Sequence, residues 1–265
     1  MKGVLDSRAA QGIDLFRSPG GVRENMSQDQ DLTLRIRRYD PSTGRSWLQE
    51  YRVRAGGILR FTDLLRKINS EQDPTLAWNS SCEHGQCGSC AVRVNGKPLL
   101  ACELLVENAV KEFGTKEFLI EPITVGPVVR DLVVDLEVAY RRVEGMKPFI
   151  IRPRENPYGE GEYRIDPKEM DPYVDATRCI NCFCCATACI SGPRSFVGPN
   201  AIMSCVVRLL DPREDAKAER FKLLHGPNGV AHCHTSKACS HVCPKEIDVA
   251  HFVRLAKSLR LKEKA

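Results

Sequence analysis

Cysteine spacing limits what this chain can fold into more tightly than any other feature. Cysteines stand at 82, 87, 90 and 102, then at 179, 182, 184, 185, 189 and 205, then at 233, 239 and 243. Secreted disulfide scaffolds are usually under ~100 residues and carry an even count. Here 13 cysteines, an odd number, are set in 265 residues. Residues 1–30 show no charged-then-apolar leader and read as a polar arm. Reduced, metal-bound thiols in a cytosolic compartment are therefore expected. Lys and Arg total 39 against 34 Asp and Glu, a net charge of +5, which is no argument for nucleic acid. The most apolar run, Val128 to Tyr140, is broken by Arg130, Asp131, Asp135 and Glu137. It falls short of the ~18 uninterrupted apolar residues of a membrane span.

The cysteine groups divide the chain in two. Residues 152–171 are rich in Pro, Gly and charge and read as part of a linker. The expected organisation is an arm over 1–30, a first domain over 31–145, a linker over 146–171 and a second domain over 172–265. In the first domain Leu32, Leu34 and Ile36 alternate with polar residues, as do Tyr51 and Val53, predicting a hairpin through Asp40 to Gly44. Thr62 is the expected cap of a helix bearing Leu64, Leu65 and Ile68. Asn95-Gly96 marks a second hairpin, Phe118 to Ile120 a further strand, and Val128 to Glu144 a trailing helix. Strands around one helix, followed by a cysteine loop, describe a β-grasp ferredoxin. The second domain reads as helical, with one helix from Pro199 to before Pro212 and another from Pro244 through Leu259. Lys257, Arg260 and Lys262 would complement the dipole of the latter. The fold class is thus α+β: a β-grasp [2Fe–2S] domain followed by an all-α, bacterial-type two-cluster ferredoxin domain.

Cys82-x4-Cys87-x2-Cys90 with a distant Cys102 has the plant-type spacing for a [2Fe–2S] cluster. Gly85 and Gly88 would supply the backbone angles that let a short loop aim three sulfurs inward. Zinc sites favour two separated C-x2-C knuckles instead. Cys179-x2-Cys182-x2-Cys185-x3-Cys189 is the bacterial ferredoxin run. Cys233-x2-Ser236-x2-Cys239-x3-Cys243 repeats it with serine at one ligand position. In two-cluster ferredoxins the fourth cysteine of each run ligates the other cluster. That rule assigns Cys179, Cys182, Cys185 and Cys243 to a [4Fe–4S] cluster, and leaves Cys189, Cys233 and Cys239 for the other. Serine is a weak acid and a hard ligand, so the corner facing Ser236 is expected to be empty, giving [3Fe–4S]. A four-iron cluster with serine or water at that corner is the other possibility. Cys184 and Cys205 remain as structural filler, Cys184 pointing away from the cluster. Among the histidines, His84, His232 and His241 read as solvated or supporting, and His234 as a candidate for the acceptor side.

Three clusters in this order resemble the iron–sulfur subunit of succinate dehydrogenase and fumarate reductase over residues 31 to 260. The resemblance rests on Ser81 to Cys90, Leu100-Ala101-Cys102, Cys179-Ile180-Asn181-Cys182 with Cys185 and Cys189, Gly198-Pro199, Asp211-Pro212-Arg213, Cys233-His234 and Cys243-Pro244-Lys245. It implies a relay of single electrons between an FAD-containing subunit, which interconverts succinate and fumarate, and a quinone at a membrane anchor that can carry haem. It places the chain peripherally on the cytoplasmic side of the cell membrane, the Cys82 cluster beside the flavin and the three-cysteine cluster beside the quinone. It matches His234 to the quinone-pocket histidine and puts no dicarboxylate catalysis in this chain. Ile190-Ser191-Gly192-Pro193-Arg194-Ser195-Phe196 departs from the family's proline-and-tryptophan segment. That keeps a thiol or cysteine-rich partner, or another flavoprotein, open as alternatives, with a zinc-stapled binding module as the remote one.

Overall fold

The computed structural model describes residues 29–152 and 162–259. The expected arm up to residue 28, the middle of the expected linker, and Arg260 and Lys262 lie outside the described residues.

The first hairpin forms as its alternation requires. β1 (Gln30–Asp40) and β2 (Arg45–Ala55) pair antiparallel, with Leu32, Leu34, Ile36, Tyr51 and Val53 buried on one face. α1 (Phe61–Glu71) places Phe61, Leu64, Leu65 and Ile68 in the core, a helical stripe. Phe61 meets Phe118 edge-on, ring centroids 5.1 Å apart. The cap is two positions before the expected one, because Arg60 is extended and Thr62 lies inside the helix, buried. β3 (Ala91–Val94) and β4 (Lys97–Leu100) form the second hairpin. Asn95 at φ 47° and Gly96 at φ 84° give both turn residues the left-handed backbone of a type I′ turn. A second helix, α2 (Val106–Phe113), ends on Gly114 at φ 63°. β5 (Glu117–Pro122) completes a five-stranded sheet in the order β2-β1-β5-β3-β4, parallel between β1 and β5 and antiparallel elsewhere.

The trailing helix is shorter than expected. Residues 128–134 instead form a two-stranded ribbon, β6 (Val128–Arg130) and β7 (Val133–Val134), and only Glu137–Gly145 is helical, as α3. The reason is Asp131, buried in the turn at φ 49°. Its carboxylate accepts from Tyr39 N at 2.9 Å and Ala77 N at 2.8 Å and faces Arg38 Nε at 2.9 Å. A helix would pull it from all three.

The second half is helical among the described residues: α4 (Pro167–Met170), α5 (Cys184–Thr187), α6 (Gly192–Ser195), α7 (Pro199–Leu210), α8 (Lys217–Leu224), α9 (Ala238–His241) and α10 (Val249–Ser258). α7 packs on α10, burying Ile202, Met203 and Val206 with Val249, Phe252, Val253 and Ala256. Each large apolar side chain buried this way contributes roughly 1.5–3 kcal/mol. α10 starts five residues after Pro244, since Glu246 at φ 55° breaks any helix begun there. Asp248 caps it instead, accepting from His251 N at 3.0 Å.

One buried ion pair of the second half holds residues 146–151. Arg220 and Glu214 are both fully buried, Nη2 to Oε2 at 2.7 Å. The Arg220 guanidinium also donates to the carbonyls of Met146 (3.1 Å), Lys147 and Phe149. Glu214 accepts from Ile151 N at 3.1 Å, and Arg208 Nε donates to Pro148 O at 3.2 Å. Residues 146–151 are thus gripped by their backbone.

Candidate metal centres

The hairpin β3–β4 explains how a local loop acquires a distant fourth thiol. Cys90 precedes β3 and Cys102 follows β4, so the turn folds one back beside the other, with Ala101 N donating to Cys90 O at 3.2 Å. Backbone amides face the sulfurs: Gly85 N to Cys102 Sγ at 3.2 Å, Gln86 N to Cys82 Sγ at 3.2 Å, Cys87 N to Cys82 Sγ at 3.3 Å. Such donors stabilise thiolate over thiol. The Ser89 hydroxyl, 3.1 Å from Cys87 Sγ, together with the Cys82 and Ser89 contacts, holds the exposed Cys87 thiol down to about 6. Burial pushes Cys90 up to about 12, with Cys102 and Cys87 close enough to interact with it. Bound iron would reverse that preference, since a coordinating thiol is deprotonated by the metal's charge.

The second half contains the same local structure twice. A 3₁₀ turn over Val174–Arg178 leads into Cys179, and another over Val230–His232 leads into Cys233. Positive φ follows at Asn181 and Phe183 in the first copy, and at Thr235 and Lys237 in the second. Each copy then makes a single helical turn, α5 or α9, and delivers a long helix, α7 or α10. The backbone therefore superposes Cys182 on Ser236 in register.

Two cavities sort the cysteines. Cys179, Cys182, Cys185 and Cys243 line one, walled by Ile180, Phe183, Met203, Ile247 and Val249. Cys189, Cys233 and Cys239 line another, with Ser236 and His234 also on its wall. His234 Nδ1 lies 2.8 Å from Ser191 Oγ, and Ile190 stands exposed at the same rim. Arg254 and Lys237 give that cavity a cationic edge. Burial pushes the Cys179, Cys185 and Cys239 thiols up, Cys239 to about 11. Cys182 runs the other way, to about 7, through hydrogen bonding with the Cys184 thiol, which is itself pushed up. Cys184 is buried and lines neither cavity; Cys205 is buried with its sulfur 3.8 Å from Arg220 O and pushed up to about 11 by burial. Cys184 thus touches a candidate ligand, a contact spacing alone does not reveal. His84, His232 and His241 lie on neither cavity wall, and His232 Nε2 meets Pro227 O at 2.6 Å.

The donor set fits clusters. It is built of thiols with amides aimed at sulfur and apolar walls, and the side-chain Nδ2 of buried Asn200, on the wall of the first cavity, has no hydrogen-bond partner. Among the described residues no three His, Cys, Asp or Glu side chains gather tightly enough for a single metal ion. The first loop also touches the second half. A Cβ on Gly88, itself at φ 74°, would come within 2.8 Å of Cys182 Cβ and 2.9 Å of its Cα, so only glycine allows this approach.

Residues 33–141 match the family model of a 2Fe-2S iron-sulfur cluster binding domain. Over 88% of the chain and 94% of the relative, the sequence is 32% identical to the fumarate reductase iron-sulfur subunit of Haemophilus influenzae. It is likewise 32% identical to that of Mycobacterium tuberculosis, over 84% of the chain and 90% of the relative. A chain of the solved Mycobacterium smegmatis Sdh1 complex superposes with a TM-score of 0.76 at 25% identity, covering 86% of this chain and 95% of that one. No helix among the described residues is long and apolar enough to cross a membrane. The likeness in sequence and structure runs through both halves, and the chain belongs to the family of iron–sulfur subunits of the succinate dehydrogenase and fumarate reductase oxidoreductases, its N-terminal half a [2Fe–2S] ferredoxin domain.

Proposed function

We propose that this chain carries single electrons through three centres: [2Fe–2S] on Cys82, Cys87, Cys90 and Cys102; [4Fe–4S] on Cys179, Cys182, Cys185 and Cys243; and [3Fe–4S] on Cys189, Cys233 and Cys239, with Ser236 opposite the missing corner. Its partners are an FAD-containing subunit that converts succinate or fumarate and a quinone-binding membrane anchor, which holds the chain at the cytoplasmic face of the cell membrane. Bound clusters supply one-electron chemistry, which a two-electron flavin reaction needs in order to reach a one-electron relay. The chain's own residues hold, order and insulate them. Amides of residues 85–87 steady the first set of sulfurs, and apolar walls keep water from the second. Gly88 brings the first loop against Cys182, shortening the step between neighbouring centres. The observation that carries the reading is the sorting of seven cysteines of the second half into two cavities, four in one and three with Ser236 in the other.

The test is purification of the native complex with subunit identification, iron and sulfide analysis, and electron paramagnetic resonance of oxidised and reduced samples. Three distinct centres and succinate-dependent quinone reduction are expected. Zinc in place of iron, or the absence of a three-iron signal from oxidised protein, would overturn the assignment. A different partner has one observation in its favour: the rim of the second cavity is made of Ile190, Ser191 and His234, without an indole. A thiol or cysteine-rich partner would be recognised by fumarate-dependent oxidation of a dithiol to its disulfide, its two electrons and two protons converting fumarate to succinate, with no reaction of quinone.

A further inference from the structure

Asn200 is the second residue of α7, buried at 4% exposure in a helix whose other inward positions are mostly apolar. Its Oδ1 lies 3.4 Å from where a Cβ on Gly198 would stand. Its Nδ2 is buried and has no hydrogen-bond partner. A buried amide donor left unpaired is unfavourable, and an aliphatic side chain of the same size would fit an apolar surround. The same side chain forms part of the wall of the cavity lined by Cys179, Cys182, Cys185 and Cys243. It also reaches a second, more open cavity beside Thr177, Asn181 and Arg208. The donor thus has two candidate partners: sulfur in the first cavity or solvent in the second.

Sulfur is the partner that matches the chemistry of the wall. A cluster held by four thiolates is anionic and gains one further negative charge when it takes up one electron, with no proton required. A fixed N–H donor stabilises the more negative state more strongly, and hydrogen bonds to sulfur are among the determinants of cluster potential. We propose that Asn200 is the amide donor of the four-iron centre, its Nδ2–H directed at a cluster or cysteinyl sulfur and raising that centre's reduction potential. The inference rests on the assignment of this cavity to a [4Fe–4S] cluster. Asn200 is a positioning and tuning residue and binds no iron.

The experiment is a dithionite titration of the purified holo-complex, following each centre by its own paramagnetic resonance signal, in wild type, Asn200→Leu and Asn200→Asp. Leucine keeps the volume and deletes the donor. Aspartate keeps the shape and replaces the donor with an acceptor. In Asn200→Leu the one-electron equilibrium of the four-iron centre is expected to shift about tenfold toward the oxidised form, ~59 mV for one electron. Asn200→Asp is expected to shift it at least as far, with the two-iron and three-iron centres unmoved in both. A four-iron signal titrating at the wild-type potential in Asn200→Leu would mean that solvent is the partner and would overturn the proposal. Should that variant fail to assemble the centre, Asn200→Asp decides, and a potential at or above wild type overturns it. Absence of a four-iron signal from wild type would instead remove the underlying assignment.

Discussion

Replacing Arg220 by methionine deletes a fully buried guanidinium while leaving its volume largely filled. Two losses follow. Glu214 keeps its charge in a site with no exposure, and the carbonyls of Met146, Lys147 and Phe149 lose their donor. Removing one partner of a buried pair costs ~3–5 kcal/mol. For domains of ~150–250 residues each kcal/mol lowers the melting temperature by ~2–4 °C, so Arg220→Met should lower it by roughly 6–20 °C. The companion variant is Glu214→Gln with Arg220→Met. The amide oxygen still accepts from a backbone N–H while the stranded charge is gone, so the double variant should regain at least ~1 kcal/mol over the single one. Melting of the purified protein followed by far-ultraviolet circular dichroism reads both numbers. If Arg220→Met melts within about 2 °C of wild type, or the double variant is no better than the single, the ion pair does not secure residues 146–151 as argued.

Ser236→Cys should supply a fourth thiolate and convert the three-iron centre to a four-iron one, seen as loss of the three-iron resonance and one additional iron per chain; an unchanged spectrum refutes the role given to Ser236. Gly88→Ala puts a methyl against Cys182 at a positive φ costing ~1–2 kcal/mol, and should weaken the magnetic interaction between the two neighbouring centres, measured as narrowed reduced-state signals. Cys184→Ala should keep the full iron content while Cys185→Ala loses the four-iron centre; equal losses in iron analysis would mean that Cys184 is more than a neighbour. Burial pushes Asp73 up, but bonds from Thr75, Tyr51 and Arg38 outweigh it and hold the carboxyl well below its usual range. Its contribution is therefore present above the ordinary aspartate value of ~3.9 and is lost as pH falls through the depressed one. The stability gap between wild type and Asp73→Asn in urea titrations should be constant from about pH 5 to 8 and narrow progressively as pH falls below about 4 toward the depressed value; a gap that widens in acid contradicts the sign.

Where a short stretch carries its own physics, the fold was legible. Asn95-Gly96 needs no tertiary help to specify a turn, and the alternation of Leu32, Leu34 and Ile36 fixes both strand and buried face. Spacing brings Cys82, Cys87 and Cys90 together, and likewise Cys179, Cys182 and Cys185, whereas Cys189 lies 44 residues before Cys233 and meets it only through the fold. Residues 128–134 are illegible locally, because an apolar run interrupted by charges mimics a helical stripe. The charge that decides, Asp131, is bonded to Tyr39, Ala77 and Arg38, contacts that no local pattern encodes. Pro244 looked like a helix start, yet the chain turns along the wall of the first cavity before Asp248 can cap one. α2 was missed although Gly114 marks its end. Asn200 was invisible as a candidate because its meaning depends on which cavity its amide borders.

The exchange of cysteines between the two cavities has a mechanical consequence. Cys243, from the end of the second run, sits with Cys179, Cys182 and Cys185, while Cys189, from the end of the first, sits with Cys233 and Cys239. Anything seated in either cavity and bonded to its thiols closes a covalent loop of more than 40 residues, and the two loops interlock. Bound clusters would act as a pair of inorganic cross-links, each limiting the freedom of the unfolded chain as a disulfide of comparable span does, by ~4 kcal/mol on the chain-entropy argument. Neither half of the domain can then open while one link remains. Were clusters bound in both cavities, loss of one would leave the other link holding both halves, and only loss of both would free the helices.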